Sequence, residues 1–262
     1  MDTSDLRSAA AKASDNPAVE NAARLGYAVS GVLHLLIGWL GIQLAWFGGD
    51  QSADQSGALQ QLASTPVGRI VLWLAVVGFL GLGLWQLTEL ILGRGGGSGR
   101  AKAAGKGVVY LVLAFTSFTW ARTEGGKSSS EQSVDFTASL IDKPAGRILV
   151  GAVGLAVIGV GAYHVYKGWA KRFLKDLRQR PSEWVVRAGR FGYIAKGVAL
   201  ALVGFLFLLA AIHGAAQEAT GLDGALRKLL QAPFGQWLLT LVALGFASYA
   251  IYSFARARYA RV

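Results

Sequence analysis

Apolar positions along the chain are gathered into long continuous runs, which polar segments separate. The runs are rich in Leu, Ala, Val and Gly. A helix needs about 20 residues to cross a hydrocarbon layer of roughly 30 Å, and none of the runs has the alternating pattern of a membrane barrel strand. The pattern therefore predicts an all-α membrane protein with six transmembrane helices, at residues 27–47, 70–92, 104–121, 148–169, 193–213 and 236–255.

A two-helix unit occurs three times in these runs. Each copy has an arginine seven residues before a glycine that begins the apolar run, and a proline 35 to 37 residues after that glycine. The arginines are Arg24, Arg100 and Arg190, the glycines Gly31, Gly107 and Gly197, and the prolines Pro66, Pro144 and Pro233. Proline suits the first turn of a helix, so each marks the start of a second helix. Since each unit crosses twice, we predict three parallel helical hairpins with pseudo-threefold symmetry.

Small residues recur on one face of these helices. Inside a bilayer, close backbone approach at small residues supplies the contacts that hold helices together. We therefore predict helix packing at Gly31, Gly38, Gly78, Gly81, Gly107, Gly159, Gly197, Gly204 and Gly245. In the second helix of each repeat, an aromatic residue continues the same stripe, at Trp85, Tyr163 and Tyr252.

The repeats divide the chain into five parts. They are a polar tail (1–20), repeat 1 (21–94), repeat 2 (95–170), a basic connector (171–186) and repeat 3 (187–262). Apolar and basic residues mix in the connector, and this predicts a helix that lies on the membrane surface with its charges toward anionic headgroups. Between helices 1 and 2, and between helices 5 and 6, leucines at helical spacing predict short surface helices. The Gly- and Ser-rich segment after helix 3 predicts an exposed loop.

Positive charge is distributed unevenly between the two sides. If the odd-numbered helices run outward, 19 of the 26 Lys and Arg residues lie on the inner side. This is the positive-inside signal, and it predicts that both termini are cytoplasmic. The net charge of +11 does not indicate nucleic-acid binding, because the basic stretches are short and adjoin the helices. The chain has no cysteine, which excludes disulfides and thiolate sites.

Ionisable and polar side chains within the helices form a candidate inner cluster. Such groups are functional candidates because burying them is costly. The cluster consists of His34, Gln86, Glu89, His164, Lys167, Lys196 and Arg256. Two histidines at one depth are compatible with haem, with a metal site that includes Glu89, or with a proton relay. We favour interhelical hydrogen bonds and charge pairing, and we predict no cofactor and no metal. Glu89 pairs with Lys167, Arg256 or both, or else these two side chains extend to water at their helix ends.

The repeat motifs resemble a known family. Two copies begin with Arg-x-Gly-Tyr, two contain "SGAL" or "DGAL" (Ser56–Leu59, Asp223–Leu226), and the second helices begin near Pro-x-Gly. From Asn21 to Arg258 the chain resembles the bacterial membrane proteins described as domain of unknown function 1206. Repeat 2 departs from the pattern, since it lacks "GAL" and the Gly-Tyr pair. The resemblance implies a six-helix inner-membrane protein, implies no activity and identifies no functional residue.

These observations favour a non-enzymatic, multi-pass protein of the bacterial plasma (inner) membrane. The sequence contains no glycine-rich phosphate loop, nucleophile elbow or His-Glu-x-x-His motif. We expect an accessory subunit or lipid-interacting scaffold, with anionic lipids at the cytoplasmic face and a membrane-protein partner. The alternative is a pathway for a small solute, ion or proton along the axis. Aromatic residues Trp85, Tyr163 and Tyr252 facing one another would plug such a path, whereas an aqueous cavity that reaches His34 and His164 would favour it.

The absence of cysteine allows a direct test of orientation. Single cysteines at Ser129 and Gly97 should react with an impermeant maleimide from outside and from inside respectively, because Gly97 lies in a basic inner segment. Labelling of intact cells and of inverted vesicles measures this. The reverse pattern would contradict the cytoplasmic placement of the termini.

Overall fold

The computed structural model describes residues 5, 8, 10–12, 16–93, 96–123 and 126–260. Within this part of the chain the backbone is helical apart from loops, turns and one antiparallel bridge between Leu177 and Ala260. Half of the polar tail predicted over residues 1–20 lies outside the described residues.

Three repeats of a long helix, a short helix and a second long helix make up the fold. The long helices are α1 (Pro17–Phe47), α3 (Pro66–Leu92), α4 (Gly96–Arg122), α6 (Pro144–Trp169), α7 (Glu183–His213) and α9 (Gly235–Tyr259). The short helices are α2 (Gln55–Ala63), α5 (Ser129–Ile141) and α8 (Leu222–Leu230), and there are 3₁₀ turns at Arg172–Asp176 and Ala216–Glu218. Among the described residues, six helices are long and apolar enough to cross a membrane, which confirms the predicted spans.

The helices have two distinct ends. At one end, which we call the basic face, α1, α4 and α7 begin and α3, α6 and α9 finish. At the other end, the short-helix face, lie α2, α5 and α8. The predicted short helices α2 and α8 are confirmed. The prediction of a loop after helix 3 was wrong from Ser129 onward, because Ser128 and Glu131 form a capping box that starts α5. A serine three residues before a glutamate is the sequence signal for this cap, and the loop prediction overlooked it.

Local sequence signals set the helix ends. The side chain of Thr65 accepts a hydrogen bond from the N–H of Gly68 at 3.0 Å, which caps α3. The predicted starts at Pro66 and Pro144 are confirmed, whereas the third helix of this kind begins two residues after Pro233, at Gly235. Helices α1, α3 and α7 each end at a glycine with φ between 66° and 68°, a conformation that favours glycine.

Contacts between repeats are the most extensive ones in the bundle. The second long helix of each repeat packs against the first of another, as α3 on α4, α6 on α7, and α9 on α1. Within repeats 1 and 3 the two long helices also pack together, as α1 on α3 and α7 on α9. In repeat 2, by contrast, the described residues of α4 and α6 make at most marginal contact. We call the opening between them the repeat-2 gap.

Glycine allows the closest of these crossings. Helices α6 and α7 meet where Gly154 faces Gly204 and where Gly161 faces Gly197. A Cβ on Gly197 would lie 2.5 Å from the carbonyl oxygen of Gly161, and one on Gly204 would lie 2.6 Å from that of Gly154. No other residue fits at these positions without moving a helix backbone.

Most of the other predicted packing glycines also lie at helix crossings. Gly78 and Gly81 lie against the α1 backbone, Gly31 against the ring of Phe254, Gly38 against the backbone of Ala243, Gly245 against Ala195, and Gly107 near Gln86. They contribute to the crossings of α3 with α1, α1 with α9, α9 with α7, and α4 with α3.

The packing prediction was wrong for Gly159. A Cβ there would meet nothing within 4 Å, and its stripe neighbours Ala156 and Tyr163 are exposed. In repeats 1 and 3 the same face packs on the first helix of its own hairpin. In repeat 2 that helix is α4, which lies across the gap, so the face has no helix against it.

Alanine substitutions should separate the packed glycines from the unpacked one. We expect G197A to lower the free energy of unfolding by about 2 kcal/mol or more, because its methyl group overlaps the α6 backbone. The matched control G159A should be neutral or slightly stabilising, since alanine favours helix over glycine by about 1 kcal/mol. Thermal unfolding of the detergent-solubilised proteins measures both, and equal effects of the two substitutions would contradict the crossing.

Candidate functional site

A histidine and a lysine from different repeats meet in the interior. The Nζ of Lys196 in α7 lies 2.8 Å from Nε2 of His34 in α1. An ammonium group only donates, so Nε2 accepts, and Nδ1 then carries the proton and donates to the carbonyl oxygen of Ser30 at 2.6 Å. The Lys196 ammonium also lies 4.4 Å from the ring centroid of Tyr249. Lys196 is therefore directed inward, as a member of the predicted cluster.

The second histidine lies on the opposite side of the same interior. Nδ1 of His164 lies 2.8 Å from the carbonyl oxygen of Val160, and its ring stacks on Tyr193 at 5.7 Å. Both ring nitrogens of His34 are already engaged, so haem or metal ligation by His34 would displace Lys196. Among the described residues, no group of three or more His, Asp or Glu is arranged to hold a metal ion.

An aromatic core fills the interior beside the two histidines. It consists of Phe173, Tyr193, Tyr249 and Tyr252, whose contacting rings have centroids 5.0 to 6.1 Å apart. Ring pairs at such separations add stabilisation beyond the area they bury. Three of the rings come from α7 and α9, and the fourth, Phe173, comes from the connector between repeats 2 and 3.

The connector folds back against the bundle. Phe173 and Leu177 are buried, the Tyr252 hydroxyl donates to the Phe173 carbonyl at 2.9 Å, and Asp176 pairs with Lys167 at 2.6 Å. The prediction of a surface helix was therefore wrong, because the apolar residues of the connector pack on aromatic rings rather than on lipid. The ion pair that the structure gives Lys167 is with Asp176 and not with Glu89.

Next to the aromatic core, a cavity of about 520 Å³ opens at the basic face. Residues of α1, α3, α4, α9 and the connector line it. They are Tyr27, Trp85, Gln86, Glu89, Gly99, Lys102, Ala103, Lys106, Lys175, Asp176, Arg178 and Arg256. We call it the basic cavity, because five of these side chains are cationic and two are carboxylates.

Arg256 has an unused hydrogen-bond donor in this cavity wall. Its guanidinium carbon lies 4.0 Å from the ring centroid of Tyr27, which is the geometry of a cation–π contact. Its Nε is buried and has no hydrogen-bond partner within the described residues. Leaving a buried donor unsatisfied costs about 1–3 kcal/mol, so Arg256 is held in the cavity wall by the Tyr27 ring and not by a full set of hydrogen bonds.

The predicted cluster thus divides into three neighbouring groups. Gln86, Glu89 and Arg256 line the basic cavity, whereas His34 and Lys196 are paired in the interior, and His164 and Lys167 flank the aromatic core. Sequence reasoning missed most of the cavity wall. One available signal was Lys106, which stands at the same repeat position as Lys196.

The three aromatic residues of the repeated stripe have different surroundings. Tyr252 is fully buried in the aromatic core, Trp85 lines the basic cavity, and Tyr163 is 46% exposed beside the repeat-2 gap. They do not face one another. Neither His34 nor His164 lines the cavity, so neither of the two arrangements expected for a plugged or an open path is found.

Comparison with known proteins places the chain in a family. The sequence profile described as Domain of Unknown Function (DUF1206) matches three segments, residues 25–89, 101–171 and 191–260. The chain is 26% identical to "Uncharacterized protein YxxB" of Bacillus subtilis (strain 168) over 260 residues, which span 95% of this chain and 94% of that protein. No solved structure matches the chain.

The hydroxyl of Tyr252 should anchor the connector. We expect Y252F to cost about 0.5–1.5 kcal/mol, because the hydrogen bond to the carbonyl of Phe173 is lost, and to speed tryptic cleavage at the connector's basic residues. Timed digestion and thermal unfolding measure the two effects. Y163F at the equivalent, exposed position of repeat 2 is the control, and cleavage of Y252F at the wild-type rate would contradict the anchoring role.

Proposed function

The chain belongs to the family described as Domain of Unknown Function (DUF1206), and we propose that it is a non-enzymatic, multi-pass protein of the bacterial plasma membrane. In this proposal it binds anionic lipid headgroups in the basic cavity at its cytoplasmic face. It acts as a scaffold or accessory subunit of a larger membrane complex. The cavity, whose lining holds more cationic side chains than carboxylates, is the observation that carries the proposal.

The charge balance of the cavity supports an anionic ligand. Of its two carboxylates, Asp176 is already paired with Lys167 from outside the lining. Of its five cations, Arg178 pairs with Glu20 at 3.0 Å. An excess of positive charge therefore remains. Basic residues near the cytoplasmic surface attract anionic headgroups by about 1 kcal/mol each.

The position of the basic cavity favours a lipid over a soluble anion as its ligand. Trp85 and Tyr27 are residue types that favour the membrane interface. Lys102 lies at the edge of the repeat-2 gap, where its Nζ is 5.8 Å from the ring centroid of Tyr163. A headgroup in the cavity can therefore extend its acyl chains through the gap into the bilayer, beside the exposed face of α6.

The packing of the short-helix half disfavours a solute or ion path. A continuous apolar layer, which includes Leu40, Leu59, Leu72 and Leu239, is buried there. We propose that the three hairpins surround this layer with pseudo-threefold symmetry, since each repeat packs its second helix on the first helix of another. This buried layer therefore argues against an aqueous continuation of the path beyond the basic cavity.

Anionic lipid should stabilise the purified protein through the cavity. We expect phosphatidylglycerol or cardiolipin, but not phosphatidylcholine, to raise the melting temperature, and the triple variant K102Q/K106Q/R256Q to bind anionic lipid roughly 100-fold more weakly, from about 1 kcal/mol per charge. Lipid titration followed by thermal unfolding, and native mass spectrometry of bound lipid, measure this.

The control removes charge from the same face but outside the cavity lining. R172Q/R187Q should bind anionic lipid nearly as well as the wild type. Equal losses in the two variants would point to a diffuse surface attraction instead of a site. Stabilisation by free inorganic phosphate to the same extent as by lipid would identify a soluble anion as the ligand and contradict the lipid proposal.

A further inference from the structure

On the short-helix face, far from the basic cavity, the first turns of α2, α5 and α8 meet. The N–H of Ser129 donates to Ser56 Oγ at 3.0 Å, and the N–H of Ala53 donates to Asp223 Oδ1 at 2.7 Å. A Cβ on Gly221 would lie 3.6 Å from the backbone nitrogen of Ser130. One segment from each repeat therefore contributes to a single contact point.

Three buried oxygen atoms on these three segments lack a hydrogen-bond partner among the described residues. Asp54 is 1% exposed, and its Oδ1 accepts hydrogen bonds from Ser56 Oγ at 2.5 Å and from the N–H of Gly57 at 3.1 Å. Within the described residues, its Oδ2 has no partner, and the same holds for the buried Ser130 Oγ and Thr220 Oγ1. Each repeat supplies one of these three oxygens.

One negative charge at this point is not compensated. Asp223 is paired with Arg227 at 2.8 Å, and Arg227 also donates to the carbonyl oxygen of Gln51 at 3.2 Å. No basic side chain pairs with Asp54 in the part of the chain that the structure describes. Burial raises the pKa of Asp54, and the nearby Asp223 carboxylate raises it further. The N–H groups at the start of α2 offset this cost only in part.

The chemistry of these groups indicates what would satisfy them. All three unpartnered atoms are oxygens that can donate an electron pair, and oxygen donors suit small hard cations. The Asp223–Arg227 pair is neutral, so a single positive charge balances Asp54. A divalent ion would leave the buried site positively charged.

We propose that Asp54, Ser130 and Thr220 bind a small monovalent cation, Na⁺, that ties the three repeats together on the short-helix face. The ion bridges the N-cap of α2, the first turn of α5 and the residue before the N-cap of α8. It acts as a structural ion and is independent of lipid binding at the opposite face.

Thermal unfolding in a single added cation tests the site. Wild-type protein should melt at a higher temperature in NaCl than in N-methylglucamine chloride at equal ionic strength. S130A and T220A should each reduce this difference, because each removes one oxygen ligand. D54N should abolish it while folding normally, since asparagine still caps α2 and removes the negative charge that the ion would balance.

The control is D135N, which removes an exposed carboxylate from the same face without touching the site, and it should keep the full Na⁺ response. Binding of ²²Na⁺ to the purified protein at about one ion per chain in wild type and none in D54N would support the site directly. An equal Na⁺ response in D54N and wild type would overturn the proposal. So would a melting temperature that rises as pH falls but ignores Na⁺, because Asp54 would then hold a proton.

Discussion

Backbone contact at small residues between successive repeats is the interaction on which the rest of the structure depends. Apolar burial does not drive helices together within a bilayer, so close approach at residues such as Gly161 and Gly197 fixes which helices are neighbours. Helix α4 packs on α3 of repeat 1, and helix α6 packs on α7 of repeat 3. The two helices of repeat 2 are therefore held by different neighbours. They lie apart, and the space left near them at the basic face becomes the basic cavity.

Much of this architecture was predictable because it depends on features that repeat. The lengths of the apolar runs predicted the six spans, and two prolines predicted where α3 and α6 begin. It was not predictable that equivalent positions in different repeats have different surroundings. Gly81 and Gly159 occupy the same place in their repeats, yet one is packed and the other is exposed, because the outcome depends on a neighbouring helix and not on the residue itself.

The neighbours of the candidate site residues were even harder to predict from the sequence. A shared depth in the membrane suggested that His34 and His164 belong to one cluster. Depth does not determine direction around a helix bundle, and the side chains point to different neighbours. The connector was misjudged for a related reason: Phe173 and Leu177 suit either lipid or a protein interior, and only the tyrosines on α7 and α9 decide between them.

The repeat-2 gap also explains an asymmetry in the sequence. Repeats 1 and 3 begin with nearly the same residues, "RLGYAVSGV" and "RFGYIAKGV", whereas repeat 2 reads "RAKAAGKGV". In the first and third copies the Gly-Tyr pair lies at the crossing of the two helices of one hairpin, as Gly26 against Gly78 and Gly192 against Tyr249. The hairpin of repeat 2 has no such crossing. Its first helix was therefore released from that packing requirement, and it carries Lys102 and Ala103 where its sister copies keep glycine and tyrosine.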